Sequence, residues 1–112
     1  MIEIYHNPRC SKSRQALALL EEAGVAYSVR LYLTAPPSVD EINTILKKLD
    51  CSPREMMRVG EAVYKDLNLA SADESALIEA MSLNPILIER PIIIKDQQAI
   101  IGRPPERVQA LL

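Results

Sequence analysis

Ile2-Glu3-Ile4-Tyr5-His6-Asn7-Pro8-Arg9-Cys10-Ser11-Lys12-Ser13 is the stretch around which the chain is arranged. Ile2 and Ile4 alternate with Glu3 ahead of Tyr5, the period of a short strand. His6, Asn7 and Pro8 are turn-compatible, and a helical pattern begins at Ser11. Strand, turn, cysteine, helix places a thiol at a helix N-terminus. There the positive end of the macrodipole and the unpaired backbone N–H groups favour thiolate over thiol. Arg9, Lys12 and Arg14 crowd positive charge around the same point, and a protonated His6 would add to it. Ser13 is spaced to donate its hydroxyl to the sulfur across the first helical turn. Such a site is built to hold an anion, or to be one.

Outward from this stretch, Ala16, Leu17, Leu20 and Ala23 share one face of a helix predicted over Ser11–Ala23, with Gly24 as its stop. Tyr27, Val29, Leu31 and Leu33 alternate with Ser28, Arg30 and Tyr32, which predicts a strand over that whole run. Strand, helix and strand with short links make a right-handed βαβ unit with parallel strands.

Pro36-Pro37 breaks the pattern. Ser38-Val39-Asp40-Glu41 is a capping box, opening a helix with Ile42, Ile45, Leu46 and Leu49 inward. Ser52-Pro53-Arg54-Glu55 repeats the device and predicts a short helix through Met56, Met57 and Val59, ended by Gly60. Tyr64, Leu67 and Leu69 anchor a loop with some helical turn. Ser71 or Asp73 caps a further helix carrying Leu77, Ile78 and Met81, which stops at Asn84-Pro85. Beyond it, Ile92–Lys95, a turn, and Ala99-Ile100-Ile101 form a hairpin ended by Gly102. Arg103-Pro104-Pro105-Glu106 opens a terminal helix with Val108, Leu111 and Leu112 inward. A βαβ half, a helical insertion over about residues 36–84 and a ββα half describe a thioredoxin-like α/β fold. Its four-stranded mixed sheet lies in a single domain, 1–112.

Composition narrows the function. Phe and Trp are absent, so Leu, Ile, Val, Ala and Met must fill the core. A net charge of −2 argues against a nucleic-acid binder, which would carry a basic excess. No apolar run is long enough to span a membrane, and no basic-then-apolar leader precedes the first strand; the cytoplasm is the expected location. Cys10 and Cys51 are too far apart in sequence for a C-x-x-C pair or a zinc knuckle. With one histidine and no ligand-spaced cluster, no metal is expected. Cys51 has no basic neighbour before Arg54 and reads as a packing cysteine.

The wording His6-Asn7-Pro8-x-Cys10-Ser11-x-Ser13-Arg14 resembles the glutaredoxin-coupled arsenate reductase family, whose catalytic cysteine follows His-Asn-Pro-x at the end of the first strand. The likeness continues in Arg58-x5-Tyr64-x2-Leu67-x-Leu69 and in Asn84-Pro85-Ile86-Leu87-Ile88-Glu89-Arg90-Pro91-Ile92. It recurs in Arg103-Pro104, and so covers essentially the whole chain. The resemblance implies Cys10 as nucleophile, His6 and Ser13 in support, and Arg58, Arg90 and Arg103 as ligands of an arsenate-like oxyanion. Pro91 would be a cis proline beside the thiol. Arsenate would be reduced to arsenite through a thiol–arsenate adduct, with glutathione as co-substrate, glutaredoxin as partner and no tightly bound cofactor. Guanidinium forks suit a tetrahedral oxyanion and also lower the pKa of a nearby thiol. Spx-like transcriptional regulators, which bind RNA polymerase, share the fold but carry a C-x-x-C switch where this chain has Ser13. A paralogue acting on another oxyanion or thiol substrate has the same residue pattern.

Overall fold

The computed structural model describes residues Met1–Leu112, which form two compact units. The first, Met1–Ala35 with Arg90–Leu112, holds a four-stranded sheet of β1 (Ile2–Tyr5), β2 (Tyr27–Arg30), β3 (Ile92–Lys95) and β4 (Gln98–Ile101). Their order is β2-β1-β3-β4. β1 and β2 run parallel, as the crossover through α1 (Ser11–Glu22) requires, and the other two pairings are antiparallel. This is the mixed sheet of a thioredoxin-like fold. Ile2, Ile4 and Ile93 from the sheet pack with Ala16 and Leu20 of α1 and with Val108 and Leu111, all of them buried. Truncating one such residue to Ala costs about 2–5 kcal/mol through lost contacts and the cavity left behind. The face carrying Tyr5, Ile92 and Ile94 is buried as well.

Three expectations for this unit are corrected. The second strand stops at Arg30, because its only neighbour is β1 and their pairing runs out at Tyr5↔Arg30. One more bond, from His6 N–H to the Arg30 carbonyl, closes the pair. The chain then turns through Leu31–Ala35, where Thr34 and Ala35 N–H both reach the Leu31 carbonyl. In that turn Tyr32 is buried while Leu31 and Leu33 are exposed, the reverse of the alternation read from sequence. The closing helix is a 3-10 segment, Pro105–Leu111, and Leu112 lies outside it, exposed. Ala23, expected inward at the end of α1, is also exposed.

The second unit, Pro36–Glu89, is helical. α2 (Val39–Leu49) opens with the reciprocal Ser38–Glu41 capping box, at 3.0 and 3.1 Å. It ends on Asp50 in the left-handed conformation. The helix expected through Met57 and Val59 is only one 3-10 turn, Pro53–Met56, because Met57 goes extended to bridge Ile88. Arg58 N–H donates to the Leu87 carbonyl and Glu89 N–H to that of Met56, which carries the unit past Asn84 to Glu89. α3 (Ala62–Asp66) is short, and Leu67 after it is exposed. Asp73 caps α4 (Glu74–Leu83) by accepting from Ala76 N–H at 2.8 Å. Arg54 ties this unit internally, donating to the Tyr64 hydroxyl and to the carbonyls of Leu69 and Ala72. No helix is long and apolar enough to cross a membrane.

Candidate active site

β1 ends at Tyr5, and Asn7–Cys10 turns the chain into α1. Cys10 N–H donates to the Asn7 carbonyl at 3.0 Å and Arg9 N–H to the Asn7 side chain at 3.0 Å. This turn leaves Cys10 at the N-cap of α1, in extended conformation and nearly buried. Burial alone pushes the thiol pKa up. The N–H of Ser13, the Arg90 side chain, the N–H of Lys12 and the Arg90 charge outweigh it, so the net shift is downward. The helix N-terminus thus acts through specific backbone donors. The charge acting on the thiol is that of Arg90; the cluster of Arg9, Lys12 and Arg14 emphasised by the sequence is at the surface. Arg14 is instead engaged in holding the turn, donating to the Pro8 carbonyl at 2.8 Å.

His6 and Ser13 meet, but not in the roles the spacing suggested. The Ser13 hydroxyl lies 2.6 Å from His6 Nδ1 and accepts from Asn7 N–H at 3.0 Å, so its side chain braces the turn. Ser13 reaches the sulfur through its backbone N–H. Burial, then the Arg14 charge, push the His6 pKa below its ordinary value. His6 is therefore a neutral partner for Ser13 at neutral pH rather than a further cation.

Arg90, Pro91 and Arg103 come together where β3 begins and β4 ends. The Arg90–Pro91 bond is cis, as the resemblance implied; so is Arg103–Pro104, which the sequence reading did not anticipate. Gly102 N–H donates to the Pro91 carbonyl at 2.8 Å, and Arg103 donates to the Arg90 carbonyl at 3.2 Å. A Cβ on Gly102 would stand 2.9 Å from Pro91 Cγ and 3.0 Å from Ile93 Cδ1, so only glycine allows this approach.

Tyr32 and Asn7 were not singled out by the sequence. Asn7 had a signal, as an Asx residue before proline at a helix entrance. Tyr32 had none, because the alternation placed it on the outer face of a strand. It is wholly buried, its ring stacked on Tyr5 at 6.3 Å between centroids. Burial first, opposed by the Arg90 charge and reinforced by that of Cys10, pushes its pKa up to about 12.

Arg58 lies in the helical unit, where Glu61 and Glu89 both pair with its guanidinium, the latter at 3.7 Å. Cys51 is in the same unit; burial, then Glu55 and Asp50, push its thiol up, so it is a poor nucleophile.

The ArsC family profile matches residues 5–111 of the chain. An arsenate reductase of Neisseria meningitidis is 48% identical over 114 residues, spanning 99% of this chain and 97% of its own length. The uncharacterised protein YfgD of Escherichia coli K12 is 54% identical over 110 residues, or 96% of this chain and 92% of its own. Among solved structures, the arsenate reductase from Vibrio cholerae superposes with a TM-score of 0.96 at 48% identity. That match covers 99% of this chain and 97% of the other.

Proposed function

This chain belongs to the ArsC family, and from that premise we propose that it reduces arsenate to arsenite with Cys10 as the nucleophile. The observation that carries the proposal is a thiol at the N-cap of α1 whose pKa is lowered by backbone N–H groups and by Arg90. Anion binding and thiolate formation draw on the same donors, so the site suits an oxyanion that reacts with sulfur. Arg90 and Arg103, linked at the Arg90 carbonyl, are the oxyanion ligands. For Arg58 the support is the resemblance alone, since its guanidinium is engaged by Glu61 and Glu89.

In the first step Cys10 sulfur attacks arsenic, an As–S bond forms, and one oxygen leaves as water with the thiol proton and a proton of the monohydrogen or dihydrogen arsenate. An external thiol then attacks the Cys10 sulfur. The As–S electron pair stays on arsenic, which falls from As(V) to As(III), and a mixed disulfide remains. Two thiols supply the two electrons. The second thiol must be external to the motif, because position 13 of the would-be C-x-x-C pair is a serine engaged by His6. The same substitution leaves a regulator's switch disulfide without its partner at this helix. Glutathione as the attacking thiol and glutaredoxin as the agent that clears the mixed disulfide complete the cycle; the cytoplasm is where both would be met.

The test is arsenate-dependent NADPH oxidation with glutathione, glutathione reductase and glutaredoxin. Wild type and Cys51→Ser should turn over, and Cys10→Ser should not. Absence of arsenate-dependent oxidation in wild type, with thioredoxin and thioredoxin reductase tried in place of the glutathione system, would overturn the assignment.

A further inference from the structure

Two buried side-chain polar atoms in the chain make no hydrogen bond, the Tyr32 hydroxyl and Arg90 Nε. Buried polar groups in folded proteins are nearly always paired, and an orphan calls for a reason. Here both orphans belong to side chains coupled to the same thiol: Arg90 lowers the Cys10 pKa, and the Cys10 charge raises that of Tyr32. The Tyr32 ring is fixed. It is 0% exposed and stacks on Tyr5 with an interplanar angle of 19°. Tyr5 is itself covered by the Arg30 guanidinium, 5.3 Å from its ring centroid, and receives a hydrogen bond from it at 3.4 Å. Asn7 and Arg90 lie near enough to Tyr32 to ease its ionisation, but not in hydrogen-bond geometry.

We infer that the Tyr32 hydroxyl and Arg90 Nε are two donors held ready for one ligand, the oxyanion that Cys10 attacks, and that Tyr32 is a substrate-binding residue of this site. The inference rests on the arsenate reading and extends it with a neutral donor. A phenol whose pKa is raised keeps its proton across the neutral range, and so offers a hydrogen bond to an anion oxygen without adding charge. Arg90 supplies the charge and Tyr32 the direction. A tyrosine present only for packing would bury its ring and leave its hydroxyl paired or in water.

The test is Tyr32→Phe in a Cys51→Ser background, which keeps the ring stack and removes one oxygen. Alkylation of Cys10 is followed against rising arsenate, phosphate or sulfate. The anion concentration giving half-protection should rise roughly ten- to a hundredfold, the worth of one hydrogen bond to a charged group. KM for arsenate should rise with it while kcat changes less. Without anion, the pH profile of alkylation should match that of wild type, and Tm should be equal or higher because an unpaired buried hydroxyl has been removed. Tyr27→Phe, which loses an exposed hydroxyl bonded to Glu21, is the neutral control. With four tyrosines and no tryptophan, wild type should also give a tyrosine ultraviolet difference spectrum on anion binding. Tyr32→Phe should abolish that spectrum; if the variant does not fold, its absence in wild type overturns the inference. Unchanged half-protection in Tyr32→Phe overturns the inference and leaves the arsenate reading standing. A shifted anion-free pH profile places the hydroxyl on the thiolate and also overturns it. A wild type protected by none of the three anions overturns both.

Discussion

Cys10 and Cys51 are the same functional group in opposite surroundings, and the difference is testable at the level of single residues. Backbone N–H groups and Arg90 lower one pKa against the effect of its burial; burial, Glu55 and Asp50 raise the other. Cys10 should therefore alkylate with a midpoint below that of a free thiol, and Cys51 should lag at every pH. Mass mapping after brief iodoacetamide treatment reads both, and equal labelling would refute the assignment. His6 makes a second prediction. Its pKa is lowered by burial and by Arg14, so the folded chain binds its proton less readily than the unfolded chain. Well above the unfolded value of about 6.5 the imidazole is neutral in both states and no stability is lost. As pH falls through that value the unfolded chain gains a proton that the folded chain refuses, and stability drops until the folded pKa is passed. The Tm advantage of wild type over His6→Gln should accordingly shrink between about pH 7.5 and about pH 5. A pH-independent difference would refute it. At this scale Cys10 was legible because its motif is local. The Ser13 hydroxyl was not, because spacing cannot show that His6 and Asn7 compete for it.

Among elements, the hairpin of β3 and β4 governs where the arginines stand. β3 begins just after Arg90-Pro91 and β4 ends just before Gly102-Arg103, so antiparallel pairing brings Arg90 and Arg103 together at one end. Gly102 sets how closely they approach. Its missing Cβ would meet Pro91 and Ile93, both in a packed part of the sheet, whereas nothing lies within 4 Å of the corresponding position at Gly60. Gly102→Ala should cost about 1–3 kcal/mol by overpacking and weaken oxyanion protection of Cys10 as Pro91 shifts. Gly60→Ala should do neither. Urea midpoints with the alkylation assay separate the two cases, and a Gly102→Ala variant with wild-type protection would show that this contact does not position the site. The hairpin could be read from its two isoleucine runs. The end of β2 could not, because an edge strand lasts only as long as its single neighbour, and Leu31 and Leu33 continue a strand-like pattern after β1 has stopped offering partners.

Over the whole molecule, the readable features were those with a fixed period or a local partner: the four strands, α1, α2, α4 and the Ser38 cap. The unread features join residues far apart in sequence with no pattern between them. Arg54 shows this most clearly. Its position in Ser52-Pro53-Arg54-Glu55 suggests a solvated charge in a first helical turn, yet it donates to the Tyr64 hydroxyl, to Leu69 at 3.0 Å and to Ala72 at 3.2 Å. Those segments contain short helical turns that cannot hold themselves, since a few residues form too few bonds to repay their ordering. A planar guanidinium with five donors can bind several acceptors at once, and an ammonium cannot match that geometry. Arg54→Met keeps the apolar stem, leaves the Ala72 carbonyl without the guanidinium donor, and leaves the Leu69 carbonyl with the Ala72 N–H alone. It should destabilise the chain by about 2–3 kcal/mol, the range of one or two hydrogen bonds to a charged group, and Arg54→Lys should recover only part of that. Amide exchange should quicken first within Tyr64–Ala72. Wild-type urea stability and exchange in Arg54→Met would mean that packing around Tyr64 and Leu69, both buried, holds this segment without the guanidinium.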